Sequence, residues 1–271
     1  MIALKKAGLA LTTIVTVGLA AHAAQAQTLV DRYSFAGNGS VVVDSVGGQN
    51  GTLANGAIQN SGLITAGGGR GLTSPNANLG ASYKLPAGAF SIEDFFTPTA
   101  GANQANFGTL FTLSNSTNNF IIGNVMRGGD RMPSVATGTD NTPQTFPTTT
   151  LRYVDGGLND LVVTFDGATE SVYLNGKLSG SVANTLLSPG TTGPFNAIGG
   201  GTPFSGDGGF NGVTNDFRIY SGALTASQVT FLDRSGPNGS PLVPVPEPSP
   251  LALLALGLAP VALLARRRAG R

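Results

Sequence analysis

Short apolar runs separated by clusters of Gly, Asn, Asp and Pro fill the chain between residues 29 and 220, with almost no helical periodicity among them. The clearest stretch is Leu161-Val162-Val163-Thr164-Phe165, a turn at Asp166-Gly167, Ser171-Val172-Tyr173-Leu174, a second turn at Asn175-Gly176, and Lys177 to Val182. Asn-Gly between β-formers predicts a type I′ hairpin, whose two central residues both need positive φ. A three-stranded meander follows. Alternation puts Val163 and Phe165 on one face and Val162 and Thr164 on the other. Both faces are then apolar, as in a sheet covered on both sides.

Further strands are predicted over Leu29 to Phe35, Ala89 to Phe95, Phe107 to Leu113, Phe120 to Val125, Phe195 to Ile198 and Asp216 to Tyr220. Strands of this length between turn clusters predict an all-β, two-sheet antiparallel jelly-roll sandwich. One helix is expected. Thr225 and Gln228 form a capping box, Leu224 and Val229 the hydrophobic staple around it, and the helix should end near Leu232.

At both ends the apolar pattern changes character. Lys5 and Lys6 precede an apolar stretch from Ala7 to Ala21, and Ala24-Gln25-Ala26 stands before Gln27. This is the pattern of a secretory signal peptide cleaved between Ala26 and Gln27. At the other end, Val245-Pro246-Glu247-Pro248 leads into an uncharged run from Leu251 to Ala265, closed by Arg266, Arg267 and Arg268. A charge-free stretch backed by fixed positive charges predicts a membrane-inserted helix with its arginines in the cytoplasm. As a helix it would span roughly 22 Å, short of the ~30 Å hydrocarbon layer, and Pro260 weakens it. A temporary stop-transfer segment fits that length better than a permanent anchor. The expected organisation is a signal peptide over 1–26, a β-sandwich over 27–235, a Pro-rich linker over 236–250, and the transmembrane helix with its basic tail over 251–271.

In its order of parts the tail resembles the PEP-CTERM sorting signal of Gram-negative bacteria. The resemblance implies an exosortase-type transpeptidase acting near Pro246, Glu247 and Pro248. Partners on this route are that transpeptidase, the secretion machinery and the membrane. The implied destination is the cell surface or, after release, the extracellular matrix.

Removing the flanks changes the charge. Six of the 15 basic residues lie in them (Lys5, Lys6, Arg266, Arg267, Arg268 and Arg271), so 9 basic against 14 acidic residues leave −5 in place of the whole-chain +1. No basic footprint for nucleic acid survives. The chain has no cysteine, and its one histidine, His22, sits in the signal peptide. Imidazole bases, Ser-His-Asp triads, thiolate sites and disulfides are excluded from the exported part.

The order Tyr33-Ser34-Phe35, Gly48-Gln49-Asn50-Gly51-Thr52-Leu53, Val172-Tyr173-Leu174-Asn175-Gly176-Lys177 and Asp216-Phe217-Arg218-Ile219-Tyr220 before Ala223-Leu224-Thr225 resembles the laminin-G-like, concanavalin A-like jelly roll over roughly Thr28 to Arg234. The resemblance implies a carbohydrate- or protein-binding module, with glycoside hydrolases on the same scaffold. Leu158-Asn159-Asp160 stands where the family commonly has tryptophan, and Asn215 where it often has an acid. With no tryptophan in the chain, Tyr83 or Tyr153 is left as a sugar platform.

Paired-carboxylate catalysis finds little support. The Glu-x-Asp-x-x-Glu spacing of jelly-roll glycosidases is absent. Glu93 and Asp94 are adjacent, so their side chains leave a strand on opposite faces, and Glu170 has no acidic neighbour two or four positions on. These acids are expected to be solvated or edge charges. The reading is therefore not an enzyme, with a divergent glycoside hydrolase or lyase as the alternative. No cofactor is expected, Ca²⁺ being the one ion to weigh, at Asp207 with Gly208, Gly209 and Asn211 or at Asp130 near Asp140. Gly67 to Gly71 and Gly199 to Gly201 are expected as tight corners. Recognition of a polysaccharide or surface protein is expected in the polar stretches Asn115 to Asn119 and Arg127 to Thr150.

Overall fold

A computed structural model describes residues 27–116, 119–126, 129–138, 147–184 and 193–239. The predicted signal segment before Gln27 and the Pro-Glu-Pro tail lie outside them. Among the described residues, no helix is long and apolar enough to cross a membrane.

Among the described residues, fifteen strands and one α-helix follow in order: β1 (Thr28–Tyr33), β2 (Val41–Val42), β3 (Gly51–Ala54), β4 (Ile58–Gln59), β5 (Leu63–Ala66), β6 (Asn76–Asn78), β7 (Phe90–Pro98), β8 (Thr109–Ser116), β9 (Asn119–Asn124), β10 (Ser134–Gly138), β11 (Asn159–Phe165), β12 (Thr169–Leu174), β13 (Lys177–Ala183), β14 (Phe195–Ile198), β15 (Asn211–Ser221) and α1 (Ala226–Ser235), with a single 3-10 turn at Gly71–Thr73. One sheet runs β13-β12-β11-β7-β15-β5-β4, with β1 also on β15, and the other runs β10-β9-β8-β14-β6-β3-β2. All the strand pairs within the sheets are antiparallel. The all-β sandwich is as expected.

The meander forms as the sequence predicts. Leu174 pairs with Lys177 across a two-residue turn in which Asn175 and Gly176 have φ of 51° and 72°. Gly176 is needed twice over, because a Cβ there would also press on the Asp233 carboxylate. Val163 and Phe165 enter the main core, whereas Val162 packs beneath α1 with Tyr220, Leu224, Val229 and Leu232. Thr225 caps α1 by accepting from the Gln228 amide while the Gln228 side chain accepts from the Thr225 N–H. The helix runs three residues past the expected stop, to a Gly236 with φ of 69°.

Between the sheets lies a core rich in phenylalanine. Phe90 stacks on Phe165 with centroids 4.6 Å apart, and Phe111 from the seven-stranded sheet meets Phe217 of the other at 5.5 Å. Such pairs add about 0.5–1.5 kcal/mol each beyond their area burial.

The acids are not where the sequence reading puts them. Glu93, Asp94 and Glu170 are fully buried, not solvated. The strand of Glu93 and Asp94 is covered on both faces, and Glu170 lies on the core-facing side of β12 opposite Phe165. As expected, Glu93 and Asp94 point oppositely. Asp94 sits level with Leu161 and Phe217 in the core, with no partner for either oxygen among the described residues, and burial pushes its pKa well up. Glu93 lies on the helix-covered face, where its Oε2 accepts from Arg218 Nη1 at 3.1 Å and from the Tyr220 hydroxyl at 2.8 Å. Arg218 also donates to Asp216 Oδ2 and to the carbonyls of Gly236 and Pro237, and lies 5.1 Å over the Phe95 ring. Arg32 joins from β1, donating to Asp216 and to the Pro237 carbonyl. Two arginines thus hold the chain where it leaves α1.

Candidate functional site

On the outer face of the seven-stranded sheet, β9 presents Phe120, Ile122 and Asn124, while Ile121 and Val125 face the core. In register, Gly138, Ala136 and Ser134 of β10 stand beside them on one side, and Ser114 and Thr112 of β8 flank Phe120 and Ile122 on the other. Phe204, from the loop after β14, comes down on Phe120 edge to face with centroids 5.0 Å apart. Together with Phe107, Asn124, Ala136 and the loop residues Ser205 to Asp207, they line a cavity of about 350 Å³. That is within the ~300–1,000 Å³ range of small-molecule sites.

A buried polar group of the lining awaits a partner. Asn124 is 2% exposed and its Oδ1 has no hydrogen-bond partner among the described residues; outside the lining, Ser134 Oγ, directly across the register, and Thr112 Oγ1 on β8 are likewise buried without one. A buried unpaired acceptor or hydroxyl costs about 1–3 kcal/mol, and a ligand hydroxyl recovers it. Among the described residues, Asp207 is the only titratable side chain lining the cavity. Its Oδ2 accepts from Thr202 at 3.4 Å, its Oδ1 has no partner among the described residues, and burial raises its pKa to about 6. At neutral pH it is mostly ionised.

The wall that carries Phe204 and Asp207 is fixed by the glycine-rich corner. Gly71 N–H donates to the Asp207 carbonyl at 2.9 Å, Arg70 Nη1 to the Gly206 carbonyl at 2.7 Å, and Arg70 bridges Gly208. The Asp207 N–H closes the loop on the Phe204 carbonyl. Gly208 lies so near Ala105 that a Cβ would overlap that methyl group. The expected corner at Gly67 to Gly71 thus braces one cavity wall.

The structure redistributes the residues singled out by sequence. Tyr83 and Tyr153 are buried at 1% and 5% exposure, so neither offers a platform. Tyr83 instead donates to Asp31 Oδ2, and Tyr153 meets Phe96 edge to face. Of the Ca²⁺ candidates, Asp130 Oδ1 accepts from the Met132 N–H as a turn former, and Asp140 lies outside the described residues. The Asn211 N–H donates to Gln104 Oε1 while Asp207 turns to Thr202. Among the described residues no group of three or more acidic, His or Cys side chains could hold a metal. Gln27, the expected mature N-terminus, hydrogen-bonds Ala223 and Gln228, whereas Ala24, Ala26, Pro246, Glu247, Pro248 and Arg266 to Arg268 lie outside the described residues. Within Arg127 to Thr150, the segment Ser134 to Gly138 is a strand, and Ala136 lines the cavity. Phe120 and Phe204 were missed. A signal was present in both: an aromatic alternating with Ile122 and Asn124 on a strand already apolar on its other face, and a lone aromatic in a Gly- and Pro-rich loop.

A profile of the concanavalin A-like lectin/glucanases superfamily matches residues 66–230. The chain belongs to this family. Among solved structures, the chain is similar to domain 4 of a GH43 extracellular arabinanase from Geobacillus stearothermophilus, in complex with arabinotriose. The identity is 26% with TM-score 0.54, over 76% of this chain and 98% of that one. It is also similar to Trypanosoma rangeli sialidase, at 21% identity and TM-score 0.53, where it spans about a third (32%) of that chain. The binding domain of Paraclostridial Mosquitocidal Protein 1 has the same fold at 14% identity and TM-score 0.51, over 76% of this chain and 52% of that one. No curated sequence relative matches. These comparisons overturn the expectation that the chain is not an enzyme, since the family takes in glucanases and two of the similar structures come from an arabinanase and a sialidase. The missing histidine and carboxylate spacing exclude particular catalytic constellations, not carbohydrate-active proteins as a class.

Proposed function

We propose that this protein binds glycan in the cavity between Phe120 and Phe204. The observation that supports this most directly is the pairing of an aromatic wall with the buried Asn124 Oδ1, which has no partner among the described residues. Aromatic side chains cover the apolar face of a sugar ring, and unpaired acceptors take its hydroxyl hydrogens. The similarity to an arabinanase domain with arabinotriose supports the same reading. A larger cavity of about 550 Å³ beside Arg32, Ser45 and Asn215 is a weaker candidate, because Arg32 is already engaged by Asp216 and Pro237 and no aromatic ring lines it.

The sequence supports a place of action outside the cell. The signal-peptide pattern ending at Gln27 and the Pro-Glu-Pro tail with its three arginines fit export, exosortase-type handling and presentation at the cell surface or release into an extracellular matrix. A glycan-binding sandwich delivered this way would hold matrix polysaccharide.

Affinity electrophoresis through gels containing arabinan, xylan, β-glucan or dextran tests binding. The wild type is expected to be retarded by at least one polysaccharide, and Phe204→Ala and Phe120→Ala to run as in a blank gel. Equal retardation of all three proteins would refute the site. Mass spectrometry of the mature C-terminus from cells tests the route, with loss of Arg266 to Arg268 expected; their persistence would mean a permanent anchor.

A further inference from the structure

We propose that the cavity selects uncharged sugars, and that the Asp207 carboxylate sets this selectivity by accepting hydroxyl hydrogens from the bound ring while excluding uronic and sialic acids. This rests on the reading of the cavity as a glycan site and names its ligand class. Among the described residues, the lining has one charged side chain, Asp207, and no lysine or arginine. Arg70 lies on the loop that braces this wall, but its guanidinium donates to the Gly206 carbonyl and is not part of the lining. A sugar carboxylate entering here would meet a second negative charge with no cation among the described lining residues to offset it.

The unpartnered atoms give the same answer by hydrogen-bond type. Asn124 Oδ1 and Asp207 Oδ1 can only accept, and Ser134 Oγ is the hydroxyl opposite Asn124. A neutral ring, rich in hydroxyls, supplies donors to both acceptors. An acidic ring replaces a hydroxymethyl or hydroxyl donor with further acceptors. Acceptor facing acceptor leaves both desolvated and unpaired, which makes recognition of polar groups more discriminating than shape alone. Asp207 is suited to the role because its other oxygen is turned to Thr202 and its backbone is pinned from both sides by Gly71 and Phe204. The carboxylate is presented on a fixed loop.

Calorimetric titration at pH 7.5 separates the cases, using arabinotriose, xylotriose and maltotriose against trigalacturonate and sialyllactose. The wild type is expected to bind at least one neutral trisaccharide and neither acidic one. Asp207→Asn, which keeps the shape and removes the charge, is expected to weaken neutral binding about tenfold and to narrow the gap to the acidic sugars. Unchanged melting of that variant would show that the loop still folds. Acidic sugars bound by the wild type as tightly as neutral ones, or an unchanged ratio in Asp207→Asn, would overturn the selectivity while leaving the glycan site standing. Absence of binding to every sugar, or binding untouched by Phe204→Ala, would instead overturn the glycan site itself.

Discussion

The Thr137 hydroxyl donates to Glu170 Oε2 at 3.1 Å and so ties one sheet to the other, because Thr137 faces inward from β10 and Glu170 from β12. Asn184 donates to the same Glu170 oxygen at 2.7 Å, and burial lifts this glutamate to about 8. It therefore stays a neutral acid at neutral pH. Glu170→Gln, which keeps a neutral amide there, is expected to change the melting temperature little at pH 6. Glu170→Ala leaves Thr137 and Asn184 facing a void and should cost about 2–4 kcal/mol. Thermal melts of the two variants check this.

The pH dependence of stability follows from the direction of these shifts. Asp31 is raised to about 6, Glu93 to about 7 and Glu170 to about 8, all first by burial, and Asp94 and Asp160 are raised as well. The folded protein then holds protons that the unfolded chain has released. Stability is full below the ordinary carboxylate range and falls as pH rises through the folded values. Asp44, held low by backbone N–H groups of Arg32, Val46, Gly47 and Gln49, acts in the opposite sense and is lost only on further acidification. Melting temperature should therefore be higher at pH 5 than at pH 8, and Glu170→Gln should flatten the upper part of that slope. A melt that rises steadily from pH 5 to 8 would contradict this assignment.

Arg218 is fully buried between Glu93 and Asp216. Arg218→Ala would strand both carboxylates and release the Gly236 and Pro237 carbonyls, at a cost of about 3–5 kcal/mol. Chemical denaturation should show the loss, with proteolysis near Pro237 increasing in parallel as the end of α1 loosens.

Gly208→Ala would drive a methyl group into Ala105 and shift the loop that carries Phe204 and Asp207. A stability loss of about 1–3 kcal/mol is expected from the overpacking. Sugar binding should fall by more than the small change in fraction folded explains, and titration of the variant well below its melting temperature measures that.

Much of the sandwich was legible in the chain. The Asn175-Gly176 turn, the Thr225 cap and the long strands announce themselves by local chemistry, because turn φ values and capping hydrogen bonds are set by neighbouring residues. The strands Val41–Val42, Gly51–Ala54, Ile58–Gln59, Leu63–Ala66, Asn76–Asn78 and Ser134–Gly138 were not foreseen. Val41–Val42 and Ile58–Gln59 are only two residues long and the other four carry Gly, Asn or Thr, so they gain their pairing from the sheet and not from their own pattern. The buried acids misled for a related reason: Glu93 and Asp94 look like surface charges until Arg218 is placed across the register from one and Leu161 and Phe217 beside the other. The site itself joins β9 to a loop some eighty residues away, a juxtaposition that only topology supplies.

Where the sugar sits is read out by a ¹H–¹⁵N titration of the 27–239 domain with arabinotriose. Saturable shifts are expected at the amides of Asn124, Phe204, Gly206 and Asp207, and their loss in Phe204→Ala. Shifts gathered instead around Arg32, Ser45 and Asn215, or none with any neutral trisaccharide, would contradict this site.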